Sequence, residues 1–249
     1  MKVSIITPVY NASLFLEETA RSVIGQTYQD WEWMLVNDCS TDNSWEIMQK
    51  LAEKDNRIKI FNNPINLKSG KTRNFAIKNA SGRFIAFLDA DDKWHKEKLA
   101  IQIPFMLKND YHFSHTSYGY LNEYGKKIKS TFHVSPIVNY KHLLKRTEIS
   151  CLTAVYDSDK IGKYYMSEHA RKQDYALWLS ILKSGVNCYG IDQELAYYRQ
   201  VNNSATSKKY KLILKHISFL KDTQGFSYPK ALYYTSYWMI NGFIRYFIK

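Results

Sequence analysis

The chain of 249 residues contains few cysteines and no long apolar run. Its three cysteines, Cys39, Cys151 and Cys188, are odd in number and widely spaced, which excludes a zinc pattern and a disulfide framework. No run of about 20 apolar residues is present, so the sequence predicts no membrane-spanning helix. The first residues, MKVSIITPVYN, lack a positively charged leader and predict a strand rather than a signal peptide. These features together favour a reducing, cytoplasmic location.

Several motifs of nucleotide-binding and hydrolytic proteins are also missing. There is no Gly-x-Gly-x-x-Gly, and SGKT at 69–72 is not a P-loop because Ile65 stands where its first glycine would be. Gly-x-Ser-x-Gly and the metal-binding spacing His-Glu-x-x-His are absent as well. The absences argue against a dinucleotide-binding fold, a P-loop phosphotransferase and a Ser-His-Asp hydrolase.

What the first half does contain is a regular alternation of short apolar runs and amphipathic segments. This alternation predicts an α/β fold with a mostly parallel central sheet flanked by helices. Ligands of such sheets bind beyond the carboxyl ends of the strands, where Tyr10, Asp38 and Asp89 are expected to converge. The predicted strands are 3–9, 31–38, 57–62 and 83–89, and the predicted helices are 13–26, 41–55, 69–80 and 95–108.

After about residue 110 the pattern changes. Strands are predicted around a turn at Tyr124-Gly125 and at 151–157, and 188–199 is strand-like at both ends. Residues 174–185 predict an amphipathic helix that ends at Gly185. With no repeat or low-complexity linker present, we divide the chain into lobes 1–115 and 116–205 of one unit, followed by a helical tail, 206–249.

The stretch FLDADDKW at 87–94 places three carboxylates, Asp89, Asp91 and Asp92, at a strand end. Such clusters often bind a hard divalent cation, here Mn²⁺ or Mg²⁺, which cancels the repulsion between the like charges. The alternative for an isolated Asp-x-Asp is a solvated turn that caps the helix from Trp94 onward. The residues alone leave both interpretations open.

The net charge of +12 points to an anionic partner, and seven of these charges lie in the tail. Residues 206–249 hold eight Lys and Arg, the single acid Asp222 and eleven aromatics. A basic and aromatic segment fits an anionic membrane surface. The same composition also fits an ordinary packed helical tail and, loosely, nucleic acid. We favour the membrane, predict no nucleic-acid partner, and leave the packed tail open.

Five motifs occur in an order that resembles family 2 glycosyltransferases of the GT-A fold, the Rossmann-like fold of nucleotide-diphospho-sugar transferases. They are VSIITPVYN, LVNDCSTDNS, KTRN, ASGRFIAFLDADD and RKQDYALWL, and the resemblance covers roughly residues 1–205. Each motif is weak alone, but five in order are specific. CLTAV, QDYALWL and YYRQVNNSATSKK look similar to the enzymes that build bacterial surface polysaccharides such as teichuronic acid and O-antigen.

The resemblance implies a UDP-sugar site in the lobe 1–115. Pro8 and Tyr10 would line the uracil pocket, and Asp38 would accept the uracil N3 hydrogen. Arg73 would lie over the base and the phosphates, although by itself it could be a helix surface charge. Arg199 would reach the diphosphate or pair with a carboxylate.

The resemblance also implies the metal and catalytic residues. Asp91 would bind the metal that bridges both phosphates, and Asp89 would contact the ribose or the metal shell. Asp174, in the lobe 116–205 that would bind the acceptor, would be the general base, although an Asp at a helix start is favoured as a cap in any case. The candidate acceptor contacts are Asp92, Trp94 and Gln173, although Asp92 could instead support the metal site from behind and Trp94 could simply pack in the interior.

The chain departs from the family pattern at several positions. Lys68 stands where a glycine is frequent, Thr72 replaces an alanine, and Gln173 replaces an acidic residue. The later motif often carries a histidine where Gln200 and Val201 stand here. The shape of the donor loop and a histidine contribution to the metal are therefore open questions, but the residues that the chemistry requires are present.

The sequence thus predicts an inverting, metal-dependent glycosyltransferase. It would move a sugar from a UDP-sugar to a hydroxyl of a lipid-linked glycan, as a peripheral protein on the inner face of the cell membrane. A nucleotidyltransferase is one alternative, although TPVYNAS lacks the glycines that would hold a triphosphate. A non-catalytic subunit that binds nucleotide sugars within an assembly complex is the other.

Overall fold

A computed structural model describes residues 1–167, 172–200 and 209–247. Arg171, Val201 and the predicted lobe boundary at 205 lie outside the described residues. The strands are β1 (Val3–Val9), β2 (Trp31–Asn37), β3 (Ile58–Asn62), β4 (Phe84–Phe87), β5 (Lys93–Trp94), β6 (Phe113–Leu121), β7 (Lys127–Phe132), β8 (Ile137–Val138), β9 (Val155–Asp157) and β10 (Cys188–Arg199). The helices are α1 (Leu16–Ile24), α2 (Ser44–Lys54), α3 (Lys68–Asn79), α4 (Lys98–Lys108), α5 (Tyr140–Lys145), α6 (Ser158–Ile161), α7 (Gln173–Lys183), α8 (Lys209–Gln224) and α9 (Tyr228–Phe247).

The described strands form one sheet in the order β3-β2-β1-β4-β9-β6-β10-β5, with β7 beside β6 and β8 beside β10. Strands β1 to β4 are parallel, as the alternation with helices predicts. The second half is mixed, because β9 runs antiparallel to both β4 and β6 while β6 and β10 are parallel. Strand β6 crosses the predicted lobe boundary at 115, so both lobes share the sheet.

The apolar runs become strands because both faces of the sheet are covered. Alternate residues of β1 point to opposite faces, so that Ile5 packs in one core cluster and Ile6 in the other. Trp33 and Met34 of β2 divide in the same way. A large side chain that is fully buried stabilises the fold by roughly 1.5–3 kcal/mol. These two layers hold the strand ends, and the loops that follow them, in fixed positions.

The prediction of a strand over 151–157 is wrong in its first half. Residues Cys151–Thr153 form a 3₁₀ turn, and the strand begins only at Val155. Side chains stabilise this turn, since Trp94 Nε1 donates to the Leu152 carbonyl at 2.7 Å and Gln102 Nε2 donates to the Thr153 carbonyl at 3.1 Å. Because these carbonyls already accept hydrogen bonds from side chains, they need no backbone donors from a neighbouring strand.

The tail forms a helical hairpin, α8–α9, that turns at Gly225, whose φ is +67°. Its inner face completes one of the two core clusters with Ile217, Phe219 and Leu220. The open alternative of a packed helical tail is therefore correct for this face. Within the part of the chain that the structure describes, no helix combines the length and the apolar character needed to cross a bilayer.

Candidate active site

A cleft of about 470 Å³ opens at the carboxyl ends of β1, β2 and β4. This is the edge of the sheet at which the sequence predicts that polar side chains converge. Six predicted site residues line the cleft together, namely Pro8, Tyr10, Asp38, Arg73, Asp89 and Asp91. The structure thus brings together residues that lie up to 83 positions apart along the chain.

The aromatic wall of the cleft is the ring of Tyr10, which directly follows β1 and is 54% exposed. The next residue, Asn11, has a left-handed backbone with φ of +48°, which turns the chain away from the sheet. The Asn11 side chain accepts a hydrogen bond from the Thr41 amide at 2.8 Å, so the turn is tied to the loop after β2. An exposed ring held in this way offers a flat surface for stacking.

The carboxylate of Asp38 is buried at the floor of the cleft and is held by two donors. Its Oδ1 accepts hydrogen bonds from Asn63 Nδ2 at 2.9 Å and from the Leu67 amide at 2.8 Å. Asn63 Nδ2 also donates to Thr72 Oγ1 at 3.1 Å. Asn63 was missed by the sequence analysis, although an Asn that directly follows a strand was a usable signal. The hydrogen bonds fix the orientation of Asp38.

Two departures from the family pattern have a structural account. Lys68 adopts φ of +68°, a left-handed conformation that glycine enters with less strain. The Thr72 hydroxyl donates to the Lys68 carbonyl at 3.0 Å and also accepts from Asn63. The threonine therefore ties the loop at Lys68 to the residue that holds Asp38.

Two cationic residues among those described, Lys68 and Arg73, line the cleft. Arg73 is 8% exposed and ion-paired through Nη2 to Asp89 Oδ1. Burial lowers the pKa of Arg73, but the charge and hydrogen bond of Asp89, together with the charges of Cys151 and Asp174, raise it overall. The Arg73 Nε is buried and has no hydrogen-bond partner among the described residues. A buried donor of this kind is costly unless a ligand satisfies it.

The residues that could hold a metal are Asp91 and Asp89, both half-buried at the rim of the cleft. Burial and the neighbouring charge of Asp89 raise the pKa of Asp91 to about 6. Among the described residues, no three His, Cys, Asp or Glu side chains form a metal-binding group. This arrangement fits Mg²⁺ or Mn²⁺, which use one or two carboxylates and take the remaining oxygens from phosphates and water.

Asp92 and Arg199 lie behind the cleft and brace the loop that carries Asp91. Asp92 is 2% exposed, and its Oδ1 accepts from the Arg199 amide at 2.8 Å. Arg199 Nε donates to the Asp91 carbonyl at 2.7 Å, and Nη2 pairs with Glu18. Arg199 thus pairs with a carboxylate, the second of its two predicted alternatives, and Asp92 supports the loop from behind instead of facing an acceptor.

Of the two alternatives for Trp94, acceptor contact or packing, the structure shows packing. Its side chain is buried, and its indole N–H is used by the Leu152 carbonyl in the turn described above. The ammonium of Lys98 lies 4.5 Å from the centre of the Trp94 ring. Trp94 therefore packs inside the protein and supports the turn at Cys151–Thr153.

The first turn of α7 approaches the cleft through Asp174 and Gln173. Gln173 Oε1 accepts from Ser69 Oγ at 3.3 Å, and a Cβ on Gly70 would lie 2.4 Å from the Gln173 side chain. A side chain at position 70 would therefore displace the flexible end of Gln173 from its place beside Ser69. Gln173 closes this side of the site next to Ser69, which itself lines the cleft.

The pKa of Asp174 is raised, first by burial and also by the charge of Asp89, while Arg73 acts in the opposite direction. Its Oδ1 accepts from the Tyr175 amide at 2.8 Å, so Asp174 also satisfies a backbone donor at the helix start. The cleft thus combines a stacking ring, a held carboxylate, cationic groups and a carboxylate pair. The Asp174 carboxylate, with its raised proton affinity, lies close enough to interact with Arg73 and Asp89. A nucleotide diphosphate and a hydroxyl that must lose a proton match these groups.

Comparisons with known proteins identify the family of the chain. The family described as Glycosyl transferase family 2 matches residues 4–157. TuaG of Bacillus subtilis (strain 168), whose name assigns it to teichuronic acid biosynthesis as a glycosyltransferase, is 39% identical over 92% of this chain and 91% of TuaG. WfgD of Escherichia coli, named a UDP-Glc:α-D-GlcNAc-diphosphoundecaprenol β-1,3-glucosyltransferase, is 39% identical over 88% of this chain and 85% of WfgD.

Solved structures with the same fold include TarS of S. aureus in complex with UDP. It is 21% identical, has a TM-score of 0.67, and the match covers 91% of this chain and 73% of the TarS chain. The mannosyltransferase PcManGT of Pyrobaculum calidifontis, in complex with GDP-Man and Mn²⁺, has a TM-score of 0.61 at 14% identity, over 94% of this chain and 72% of that one. The chain belongs to glycosyl transferase family 2 and is a glycosyltransferase with the GT-A fold.

Proposed function

We propose that this enzyme transfers a sugar, with inversion and with a divalent metal, from a UDP-sugar to a hydroxyl of a lipid-linked glycan in bacterial surface polysaccharide synthesis. The observation that carries the proposal is the convergence of Tyr10, Asp38 and Arg73 with the Asp89 and Asp91 carboxylates in one cleft. The relatives supply the class of substrates, because the name of WfgD contains a UDP-sugar and a diphosphoundecaprenol acceptor.

The uridine end of the donor would occupy the part of the cleft between Tyr10 and Asp38. The Tyr10 ring would stack on the base, with Pro8 beside it. The carboxylate of Asp38, oriented by Asn63 and the Leu67 amide, would accept the N3 hydrogen of uracil. Uracil suits this site because it presents a ring N–H to the carboxylate.

The diphosphate would lie at Arg73, whose buried Nε lacks a partner among the described residues. Asp91 and Asp89 would hold the metal. The bound metal would neutralise the charge that develops on the diphosphate as it leaves. Arg73 would contribute to the same stabilisation from its fixed position, which costs no reorganisation during the reaction.

Asp174 would take the proton of the acceptor hydroxyl. Its carboxylate has an increased affinity for a proton because burial and Asp89 raise its pKa. The hydroxyl oxygen would attack the anomeric carbon on the face opposite the diphosphate, the bond to the diphosphate would break, and the proton would pass to Asp174. One attack from the opposite face inverts the anomeric centre, and no second nucleophilic carboxylate is needed.

An assay of nucleotide release tests the proposed function. The purified full-length chain is incubated with a panel of UDP- and GDP-sugars and α-D-GlcNAc-diphosphoundecaprenol in detergent micelles, with Mn²⁺ or with a chelator. We expect Mn²⁺-dependent release of UDP from one UDP-sugar and an acceptor product of increased mass. Binding of UDP by calorimetry is measured in parallel. A parallel incubation contains UTP and a sugar phosphate in place of the nucleotide sugars, and release of inorganic diphosphate from UTP would favour a nucleotidyltransferase. No nucleotide binding at all would contradict the proposal.

We also propose that the tail docks the enzyme on an anionic membrane surface. One side of α9 exposes an apolar and aromatic stripe, consisting of Leu232, Tyr233, Tyr237, Met239, Ile240 and Phe243. Lys215, Lys221 and Lys230 lie on the same hairpin and supply positive charge. An apolar stripe with nearby lysines matches the headgroup region of an anionic bilayer. The lipid part of the proposed acceptor would place the substrate at the same surface.

Substitution of the stripe tests this docking. Removal of residues 206–249 is not suitable, because Ile217, Phe219 and Leu220 complete the core. In the double variant Leu232→Ser/Ile240→Ser, we expect binding to phosphatidylglycerol-containing vesicles to weaken about tenfold or more, since two apolar contacts are lost. Co-sedimentation measures the binding. Ile128→Ser/Ile137→Ser is the matched control, with two exposed residues outside the hairpin. Equal sedimentation of both variants would contradict the docking proposal.

A further inference from the structure

The residue before the first turn of α7, Lys172, is enclosed by aromatic rings of the C-terminal hairpin. Its Nζ lies 4.4 Å from the centre of the Trp238 ring and 6.0 Å from that of Phe219. The ring of Tyr175, on α7 itself, is 5.7 Å away. A lysine ammonium within about 6 Å of a ring centre is attracted to the face of the ring. We call Lys172 with these three rings and His216 the Lys172 cage.

His216 completes the cage with a hydrogen bond. Its Nδ1 lies 3.0 Å from Lys172 Nζ, and its ring stacks on Trp238 with 4.4 Å between ring centres. Burial and the charge of Lys172 lower the pKa of His216 to about 3, so the imidazole is neutral at physiological pH. A neutral imidazole that faces an ammonium accepts through Nδ1 and carries its hydrogen on Nε2. The hydrogen bond therefore runs from Lys172 to His216.

Two hydrogen bonds to helix α5 connect the Lys172 cage and the hairpin to the rest of the protein. Tyr175 Oη donates to the Leu143 carbonyl in α5 at 3.0 Å. Asn241 Nδ2 in α9 donates to the Lys145 carbonyl, at the end of α5, at 3.1 Å. Helix α5 thus touches both α7 and the hairpin. The hairpin cannot shift without straining contacts to α5 and to Lys172.

Lys172 is also the residue that caps α7. Its carbonyl accepts the first helical hydrogen bond, from the Ala176 amide at 2.9 Å, and Asp174 lies within the turn that this bond closes. Contacts that hold the Lys172 side chain in place therefore also hold this turn, and they limit the positions that the Asp174 carboxylate can adopt. Three of the four groups around the ammonium, Trp238, Phe219 and His216, come from the hairpin.

We infer that the C-terminal hairpin positions the catalytic base. Through the Lys172 cage, it fixes the first turn of α7 and so holds the Asp174 carboxylate toward the cleft. Lys172, His216 and Trp238 are positioning residues and touch neither donor nor acceptor. The inference rests on the proposed role of Asp174 as the base. The C-terminal hairpin would then contribute to the geometry of the active site, in addition to its proposed contact with a membrane.

Hydrogen exchange and kinetics together test the inference on the full-length chain. In Lys172→Met, which keeps the length of the side chain but removes the ammonium, we expect amides 173–176 to exchange about tenfold faster. We expect kcat for the sugar transfer found with the donor panel to fall about tenfold or more, because small misplacements of a reacting group are costly. The calorimetric Kd of UDP with Mn²⁺ should stay unchanged. Lys172→Arg, which keeps a cation in the cage, should recover most of the loss.

Lys129→Met is the matched control, because the Lys129 ammonium lies 5.1 Å from the centre of the Tyr120 ring, outside the hairpin and the cleft. It should leave both exchange and kcat unchanged in detergent micelles. Unchanged exchange at 173–176 in Lys172→Met would overturn the inference, and so would faster exchange with an unchanged kcat. A failure of the proposed role of Asp174 would give a different result. Asp174→Asn would then transfer sugar at the rate of the unmodified enzyme, while amides 173–176 would still exchange faster in Lys172→Met.

A double variant separates positioning of the base from general loosening. If Lys172 acts only through Asp174, then Lys172→Met should not lower the residual rate of Asp174→Asn any further. If the two substitutions lower the rate independently, their effects multiply, and the inference is wrong. Trp238→Ala should reproduce the kinetic effect of Lys172→Met, and Trp238→Phe should retain part of the activity, since a ring remains over the ammonium.

Discussion

Replacing Asp174 with asparagine is expected to lower kcat by about 100- to 10,000-fold, the usual contribution of a positioned general base. Asparagine has nearly the same shape and can keep the hydrogen bond to the Tyr175 amide. The donor pocket around Tyr10 and Asp38 does not include Asp174, so the Kd of UDP with Mn²⁺ should not change. Steady-state kinetics and calorimetry measure the two quantities on the same preparation.

The pH dependence gives a second signature of the base. Burial and Asp89 raise the pKa of Asp174 above the value of about 3.9 that an exposed Asp has. The unprotonated base is therefore lost, as the pH falls, at a higher pH than for an exposed carboxyl. We expect kcat to show an acid limb that is absent from the residual rate of Asp174→Asn. An identical acid limb in both proteins would assign it to another group.

The raised pKa of Asp174 also predicts that the Asp174→Asn variant is at least as stable as the unmodified enzyme at neutral pH. Since the pKa of Asp174 is higher in the folded protein than in the unfolded chain, the folded state binds this proton more tightly. The contribution of Asp174 to stability is therefore present at low pH and is lost as the pH rises through the folded pKa. At neutral pH the charged carboxylate costs stability, and the asparagine variant should unfold at an equal or higher temperature. A large decrease in Tm would show that the loss of kcat reflects misfolding.

Replacing Asp91 with asparagine should have the second large effect, a fall of about 100- to 1,000-fold in kcat/KM, comparable with the loss of one charge-stabilising group. In this variant, addition of Mn²⁺ should no longer strengthen UDP binding. An amide is a weak ligand for a hard cation, and it adds no negative charge to balance the metal. Calorimetric titration of UDP with and without Mn²⁺ measures the effect.

The neighbouring carboxyl provides the control. Asp92→Asn changes the same loop, but burial and the charges of Asp91 and Asp89 raise the pKa of Asp92 well above its usual value, which favours the neutral form. The Asn side-chain oxygen can still accept from the Arg199 amide. Mn²⁺-dependent binding of UDP should therefore persist in Asp92→Asn. If both variants lose it equally, the effect reflects the shape of the loop rather than ligation by Asp91.

The amino acid sequence was sufficient to predict the side of the site that lies on parallel strands. An apolar run fixes a strand, and the residue after the run lies at the carboxyl edge of the sheet, so that Tyr10, Asp38 and Asp89 could be placed together. The sequence also predicted a helix over 69–80 that contains Arg73, whereas the place of Arg73 at the donor site came from the family resemblance. The strand-end placements need only local periodicity and one topological rule.

The residues for which the sequence left two alternatives open depend on partners far away in the chain. Arg199 and Trp94 are polar-tipped side chains that can face a ligand or the interior. The choice is made by carbonyls that no local pattern reveals, those of Asp91 for Arg199 and of Leu152 for Trp94. The Lys172 cage was missed for the same reason. Tyr175 lies on α7, whereas the other rings lie on the C-terminal hairpin, and only the fold brings them together.

The brace at Arg199 has a consequence for the order in which the protein folds. Arg199 contacts Asp91 and Asp92 across 108 and 107 residues, and Glu18 across 181 residues. Closing such long loops is entropically costly and slow, so these contacts form late. During synthesis, the loop that carries Asp91 cannot reach its final shape before nearly four-fifths of the chain has left the ribosome. A nascent chain that stops before β10 should therefore contain the donor-side strands but lack a metal-competent loop.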